Sequence, residues 1–206
     1  MQRLRTTAFF LALLMGQFCL AQPDSSLSSV DTSVFERFFP EAEGFRRFVQ
    51  QGKYGFLNLK GQVLVNPIYD KASDFQNKRA AVRQDGKHGF IDSTGLPVIP
   101  LQYDRVWSFQ EGLAMVKANN QFGFINTSGD TIVALDYDHA QSAAEGTLLV
   151  SKNGKYGFAD LTGEVIIPLS FDEAWPFFKG KAWVRLAGRS FYIDKSGTCV
   201  EACEGN

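Results

Sequence analysis

Short apolar segments alternate with turn residues along most of the chain, and the turns recur about every eight residues. In one stretch, apolar residues 80–82 precede the pair Asp85-Gly86, and a further turn closes at Gly95 before the apolar residues 97–100. Asp-Gly and Asn-Gly pairs supply the positive φ angles that two-residue hairpins need. A stable helix does not fit between turns this close together. The pattern therefore predicts three-stranded antiparallel meanders.

The meander pattern returns with a constant period of 34 residues. An aromatic-Gly-Phe signature marks each copy, at Tyr54-Gly55-Phe56, His88-Gly89-Phe90, Phe122-Gly123-Phe124 and Tyr156-Gly157-Phe158, with Ser190-Phe191-Tyr192 as a degenerate last copy. Equal spacing indicates one supersecondary unit stacked on copies of itself. We predict an all-β array of five 34-residue units, at 35–68, 69–102, 103–136, 137–170 and 171–204.

Whether the array is open or closed depends on how its first and last units differ from the others. Five whole units would permit a closed, propeller-like ring, but the diverged first and last copies favour an open, solenoid-like stack. The segment that joins two meanders, such as residues 103–112, carries bulky side chains, and we expect it to form a short helical turn or a covered loop.

The N-terminus has the form of a secretory signal peptide. Arg3 and Arg5 precede an apolar run that ends before Ala21, which predicts a signal peptide over residues 1–21 and a Ser-rich flexible linker over residues 22–34. The apolar run is shorter than a spanning helix needs, so we expect an exported chain with no transmembrane span after processing. In an oxidising compartment Cys199 and Cys203 can form a disulfide if the chain turns between them, and their spacing leaves both states open.

Charge gives no reason to expect nucleic acid as a partner. The formal net charge is −1, and the basic residues are interpreted as scattered among acids: Arg46, Arg47, Arg79, Arg83, Arg185 and Arg189. No phosphate-binding glycine loop is present, and no cofactor is predicted.

Candidate catalytic and metal-ligating residues are few. The chain has two histidines, of which His88 occupies the aromatic position of the signature and His139 lies in a connection. A repeated acidic ladder consists of Glu36, Asp70, Asp104, Asp138 and Asp172. Calcium binding is conceivable for such carboxylates, but we expect them to accept hydrogen bonds from backbone amides at turns.

Aromatic residues are the strongest indication of a binding surface. Trp107 and Trp175 share their position in the repeat with Phe39, while Trp183 occupies a second position. Exposed aromatic rows bind peptides or sugars through a large contact area with little entropy to lose. The alternative is that these rings fill the contacts between units.

The signature, together with blocks such as residues 112–117 and 165–168, resembles the WG-repeat (KWG-type) family of bacterial exported proteins. The Trp of that family is replaced here by Tyr54, His88, Phe122, Tyr156 and Ser190. The resemblance implies a binding or scaffold module without shared catalytic residues.

Two functions follow as hypotheses. The first is an exported, non-catalytic module for protein or glycan interaction at the bacterial cell envelope. The second is an envelope enzyme whose small cleft is formed by residues outside the repeat pattern, chiefly His139, Asp138 and Glu145. The enzyme requires these three side chains to converge.

Overall fold

The computed structural model describes residues 35–202, and all regular structure in this range is β-strand. The predicted all-β class is confirmed. No segment of residues 35–202 forms a helix that is long and apolar enough to cross a membrane. The predicted signal peptide and linker lie outside the described residues.

The strands form five antiparallel sheets, each a four-stranded meander in chain order. The first two sheets contain β1 (Arg37–Ala42), β2 (Phe45–Gln50), β3 (Lys53–Asn58) and β4 (Val63–Tyr69), then β5 (Lys71–Ala72), β6 (Arg79–Gln84), β7 (Lys87–Asp92) and β8 (Pro97–Tyr103). The third and fourth contain β9 (Arg105–Val106), β10 (Leu113–Ala118), β11 (Gln121–Asn126) and β12 (Thr131–Tyr137), then β13 (His139–Ala140), β14 (Thr147–Lys152), β15 (Lys155–Asp160) and β16 (Val165–Phe171). The fifth contains β17 (Glu173–Ala174), β18 (Ala182–Leu186), β19 (Arg189–Ile193) and β20 (Cys199–Ala202).

The prediction of three strands per unit was wrong by one strand. The expected helical turn or covered loop after each Tyr-Asp or Phe-Asp pair begins instead as a two-residue strand, because the backbone stays extended there. In the second sheet, the amide of Asp70 donates to the carbonyl of Arg83, and the amide of Ser73 donates to the carbonyl of Ala81. These bonds attach β5 to β6, and a loop follows only afterwards.

The predicted turns are confirmed. The pairs Asp85-Gly86 and Asn153-Gly154 have φ angles of 51° and 81°, and of 53° and 72°, as two-residue hairpins require. At the next turn of each sheet an Asp or Asn accepts bonds from the backbone two and four residues later. Asp92, for example, accepts from the amide of Thr94 at 2.9 Å.

Each sheet packs against the next in the chain, so five sheets create four junctions. We call the face toward the following sheet the leading face and the face toward the preceding sheet the trailing face. The core between the second and third sheets is formed by Phe90, Ile99 and Tyr103 of one leading face and by Phe109, Ala114, Val116 and Ile125 of the next trailing face. The other three junctions use equivalent positions.

The array is open. Within residues 35–202, no side-chain hydrogen bond or ion pair joins the first sheet to the fifth, whereas such bonds do join consecutive sheets. The predicted solenoid-like stack is confirmed, and the closed ring is not formed. Among the sheets of residues 35–202, none therefore lies against the leading face of the fifth sheet or the trailing face of the first.

Candidate functional site

The aromatic-Gly-Phe signature lies on the third strand of the first four sheets, where its last two positions are structural. Phe56, Phe90, Phe124 and Phe158 are buried at the four junctions, with at most 2% exposure. Gly123 has an ordinary φ, but a Cβ there would lie 2.6 Å from the carbonyl oxygen of Val133. Glycine is therefore needed for the close approach of the neighbouring strand.

The fifth sheet has Phe191 where the others have this glycine, and its pairing differs accordingly. In the first four sheets the third and fourth strands show two register irregularities, whereas β19 and β20 show one. Phe191 packs instead beside the core between the fourth and fifth sheets, with its ring centroid 6.3 Å from that of Phe171. A side chain at this position excludes the close approach seen in the other sheets.

Trp175 and Trp183 lie together on the leading face of the fifth sheet. Their ring centroids are 5.4 Å apart, and Trp183 lies directly opposite Tyr192 on the adjacent strand. Trp175 is 65% exposed. One repeat earlier, the equivalents of Trp183 and Tyr192 are Leu149 and Phe158, and both are buried by the next sheet.

The other two predicted binding residues have different surroundings. Trp107 is partly buried against the core between the third and fourth sheets, and its ring centroid lies 5.8 Å from that of Phe122. Phe39 lies between the Arg47 guanidinium, 4.1 Å from the ring centroid, and the ring of Tyr54 at 5.9 Å. Of the four predicted residues, Trp175 and Trp183 are brought together, and Phe39 and Trp107 lie on other sheets.

The first signature position is partly buried in all four intact copies, at Tyr54, His88, Phe122 and Tyr156. Phe122 and Tyr156 belong to a series of neighbouring rings that begins at Trp107 and includes His139. The His139 ring lies 5.9 Å from that of Phe122 and 6.0 Å from that of Tyr156. His139 thus bridges two sheets through ring contacts.

The acidic ladder binds backbone amides at hairpins, as predicted. Asp70, Asp104, Asp138, Asp172 and Glu36 each accept a bond from an amide in the hairpin between the second and third strands, at 2.6–3.3 Å. Lys87 also donates to Asp104, and together with the amide of Asn119 it lowers the pKa of Asp104. No group of three or more potential metal-ligating side chains occurs in the described part of the chain.

A second set of carboxylates connects neighbouring sheets, and the sequence analysis missed it. Glu43 accepts bonds from the amides of Asn77 and Lys78, both at 2.8 Å. Glu111 accepts from Gly146 at 2.8 Å, and Glu145 accepts from Gly180 at 2.9 Å. The recurrence of Glu at 43, 111 and 145 was the signal that could have revealed these links between sheets.

The three residues proposed for an enzymatic cleft do not form one. The Asp138 carboxylate binds the hairpin amide of Asn153, whereas Glu145 binds the turn of the following sheet. The His139 ring contacts aromatic rings. Within the described residues no hydrogen bond joins any two of these three side chains, and their partners lie at separate turns and strands.

A concentration of basic side chains was also missed, because sequence distance hides it. Strand pairing places Lys71 opposite Arg83 and Arg83 opposite His88. In the next sheet Arg105 lies opposite Lys117. The interpretation of the basic residues as scattered is therefore wrong for Arg83.

Cys199 lies exposed on β20. Cys203 lies outside the described residues, so the disulfide stays a prediction.

Comparison with solved structures finds similar chains at low identity. A eukaryotic initiation factor has a TM-score of 0.51 and 11% identity, over 82% of this chain and 54% of the other. Hsv2p of Kluyveromyces lactis has a TM-score of 0.47 and 9% identity, over 81% and 62%. PorZ, a bacterial surface component of the type-IX secretion system of Porphyromonas gingivalis, has a TM-score of 0.40 and 9% identity, over 84% and 26%.

The chain thus spans 54% and 62% of the lengths of the first two of these structures. At 11% identity, the likeness to the initiation factor concerns the fold alone. No curated protein sequence matches this chain.

A family model shows the relationship directly. The model described as "WG containing repeat" matches residues 54–87, 89–121, 122–156 and 156–189, which is more than half of the chain. These segments contain the buried Gly-Phe pairs of the four junctions. The chain therefore belongs to the WG-repeat family.

Proposed function

We propose that this protein is an exported, non-catalytic interaction module that binds a protein or glycan ligand at the bacterial cell envelope. The observation that carries the proposal is the Trp175 and Trp183 pair on the leading face of the fifth sheet, against which no other sheet of the described range packs. An exposed tryptophan costs solubility, and aromatic clusters of this kind are enriched at binding surfaces.

Export is supported by the sequence of residues 1–21 alone. A basic start, an apolar run and a small residue at position 21 are the parts of a cleavable leader. N-terminal sequencing of the protein from a host that secretes it tests this step. A mature chain that begins at Gln22 is the expected result, and an uncleaved chain retained inside the cell would contradict it.

The binding step is tested by replacing Trp175 with Ala. We expect loss of ligand capture, by roughly 30-fold or more if this residue is a hot spot. Capture is measured on a glycan array and in a pull-down from envelope extract. Because Trp175 is 65% exposed, the melting temperature should change little.

Phe178→Ala is the matched control, since Phe178 is 70% exposed in the loop between β17 and β18 but has no ring contact with Trp175 within the described residues. Capture by this variant should equal that of the unchanged protein. Equal capture by the Trp175 and Phe178 variants would remove the tryptophan pair from the binding site.

A further inference from the structure

Five side chains form a cluster on the second and third sheets that we call the basic row: Lys71, Arg83, His88, Arg105 and Lys117. Within the second sheet, Lys71 is paired with Arg83 and Arg83 with His88 across adjacent strands. Directly opposed residues of an antiparallel pair have their side chains on the same face, so these three groups are close neighbours.

The third sheet repeats the arrangement at equivalent positions. Arg105 is paired with Lys117, and Lys117 with Phe122. The Lys117 ammonium lies 4.8 Å from the Phe122 ring centroid, and the Arg105 guanidinium lies 5.9 Å from the Trp107 ring. These cation-π contacts hold both charges in place before any ligand arrives.

The acids nearest the basic row, Asp70 and Asp104, are engaged by other lysines, although their charges still act on Arg83 and Lys117. Within residues 35–202, none of its lysines and arginines forms a salt bridge, whereas the adjacent Lys53 and Lys87 are paired with Asp70 and Asp104. Burial, and then the charges of Arg83, Lys71 and Arg105, lower the pKa of His88. That imidazole is therefore uncharged at neutral pH and available as an N–H donor.

Like charges that face each other across strands destabilise a sheet, so this arrangement is costly to the fold. The corresponding positions elsewhere avoid that cost. In the fifth sheet Arg185 is paired with Glu173, and in the fourth sheet the positions hold His139 and Ser151. Local violations of this kind are typical of functional sites.

We propose that the basic row binds an acidic segment of a partner protein, independently of the tryptophan pair. Arginine forks match carboxylates, and arginine together with aromatic residues is enriched in protein interfaces. Single-stranded nucleic acid binds through free aromatic faces, on which its bases stack. Here the faces of Phe122 and Trp107 are already in contact with cations, which favours a protein partner.

The test is fluorescence anisotropy of a labelled oligoglutamate peptide with the purified protein over a range of salt concentrations. We expect binding that weakens as salt rises, because exposed charges are screened. Replacing the two exposed cations, Lys71→Glu with Arg105→Glu, should weaken binding roughly tenfold or more.

The matched control is Arg46→Glu with Lys60→Glu, which gives the same change in net charge on exposed residues of the first sheet. This control should bind almost as the unchanged protein does, and all variants should keep the β-sheet circular dichroism spectrum. Trp175→Ala should also keep oligoglutamate binding, which separates this proposal from the proposed ligand of the tryptophan pair.

Parallel titrations with polygalacturonate and oligothymidylate identify the partner class. Tightest binding to oligoglutamate supports the proposal. Tighter binding to either other polymer, an equal loss with the control variant, or no binding of oligoglutamate would overturn it.

Discussion

The trailing face of the first sheet and the leading face of the fifth sheet both lie at an end of the array, but their side chains differ. On the first sheet, Phe48 is fully buried, and the ring of Phe35 lies 4.3 Å from it. Glu41 and Arg46 occupy positions that hold Phe75 and Ala80 one repeat later. Charged residues and a covering ring thus replace a neighbouring sheet.

The fifth sheet lacks such a cover among the described residues. Trp183 and Tyr192 remain partly exposed, and Trp175 is largely exposed. Terminal repeats generally carry a polar outer face for solubility. The first sheet follows this rule. The fifth follows it only at Glu201, opposite Tyr192, and keeps the two tryptophans, which is why we place the proposed ligand on the fifth.

The largest expected effect is the difference in stability loss between a ring buried at a junction and an exposed ring of the fifth unit. Phe124→Ala removes a ring with 0% exposure from the core between the third and fourth sheets and should lower the free energy of unfolding by about 3–5 kcal/mol. Phe178→Ala removes a ring that is 70% exposed and should change it by less than about 0.5 kcal/mol. Urea denaturation measures both, and similar losses would show that the end is as tightly packed as the junctions.

Sequence periodicity was sufficient to predict the β class and the turns, because each depends on local residue types repeated at a fixed interval. The open array was only favoured, by the diverged first and last copies, and five equal units also permitted a closed ring. It missed the fourth strand, since two residues such as Lys71-Ala72 carry no periodic signal of their own. It also missed the basic row, because Lys71 and Arg105 are brought near His88 by strand pairing and sheet packing. The exposure of Trp175 and the partial burial of Trp107 likewise depend on whether a following sheet exists.

An intermediate effect is expected at the signature glycine. Gly123→Ala should cost about 1–3 kcal/mol, because its Cβ would collide with the backbone of the adjacent strand. Gly112→Ala is the control: nothing lies within 4 Å of its Cβ, so the cost is limited to a positive φ of 84°, about 1 kcal/mol. Thermal unfolding of both variants gives the ranking, and a smaller loss for Gly123→Ala would refute the close-approach explanation.

The smallest expected effect is a loss of folding stability at acidic pH. Hydrogen bonds from lysines lower the pKa of Asp70, Asp104 and Asp172 in the folded state. Their contribution to stability is therefore complete above the unfolded value of about 3.9 and is lost as pH falls through the lower folded values. Urea denaturation as a function of pH should show stability falling in this range.

Asp104→Asn should reduce that slope, because it removes one of the carboxylates whose pKa is lowered in the folded state. Asp85→Asn serves as a control, since the Asp85 side chain accepts no hydrogen bond within the described residues. An unchanged slope in the Asp104 variant would assign the acid sensitivity to other carboxylates.

Each described sheet is linked to the sheets next to it in the chain, and this affects how such a chain can evolve. Each carboxylate link and each core involves a unit and the one beside it, as with Glu145 and Gly180. Duplication of an internal segment of the gene would thus insert a further unit with both of its faces already matched to their new neighbours. The number of internal units can therefore vary between descendants while the first and fifth sheets keep their own side chains.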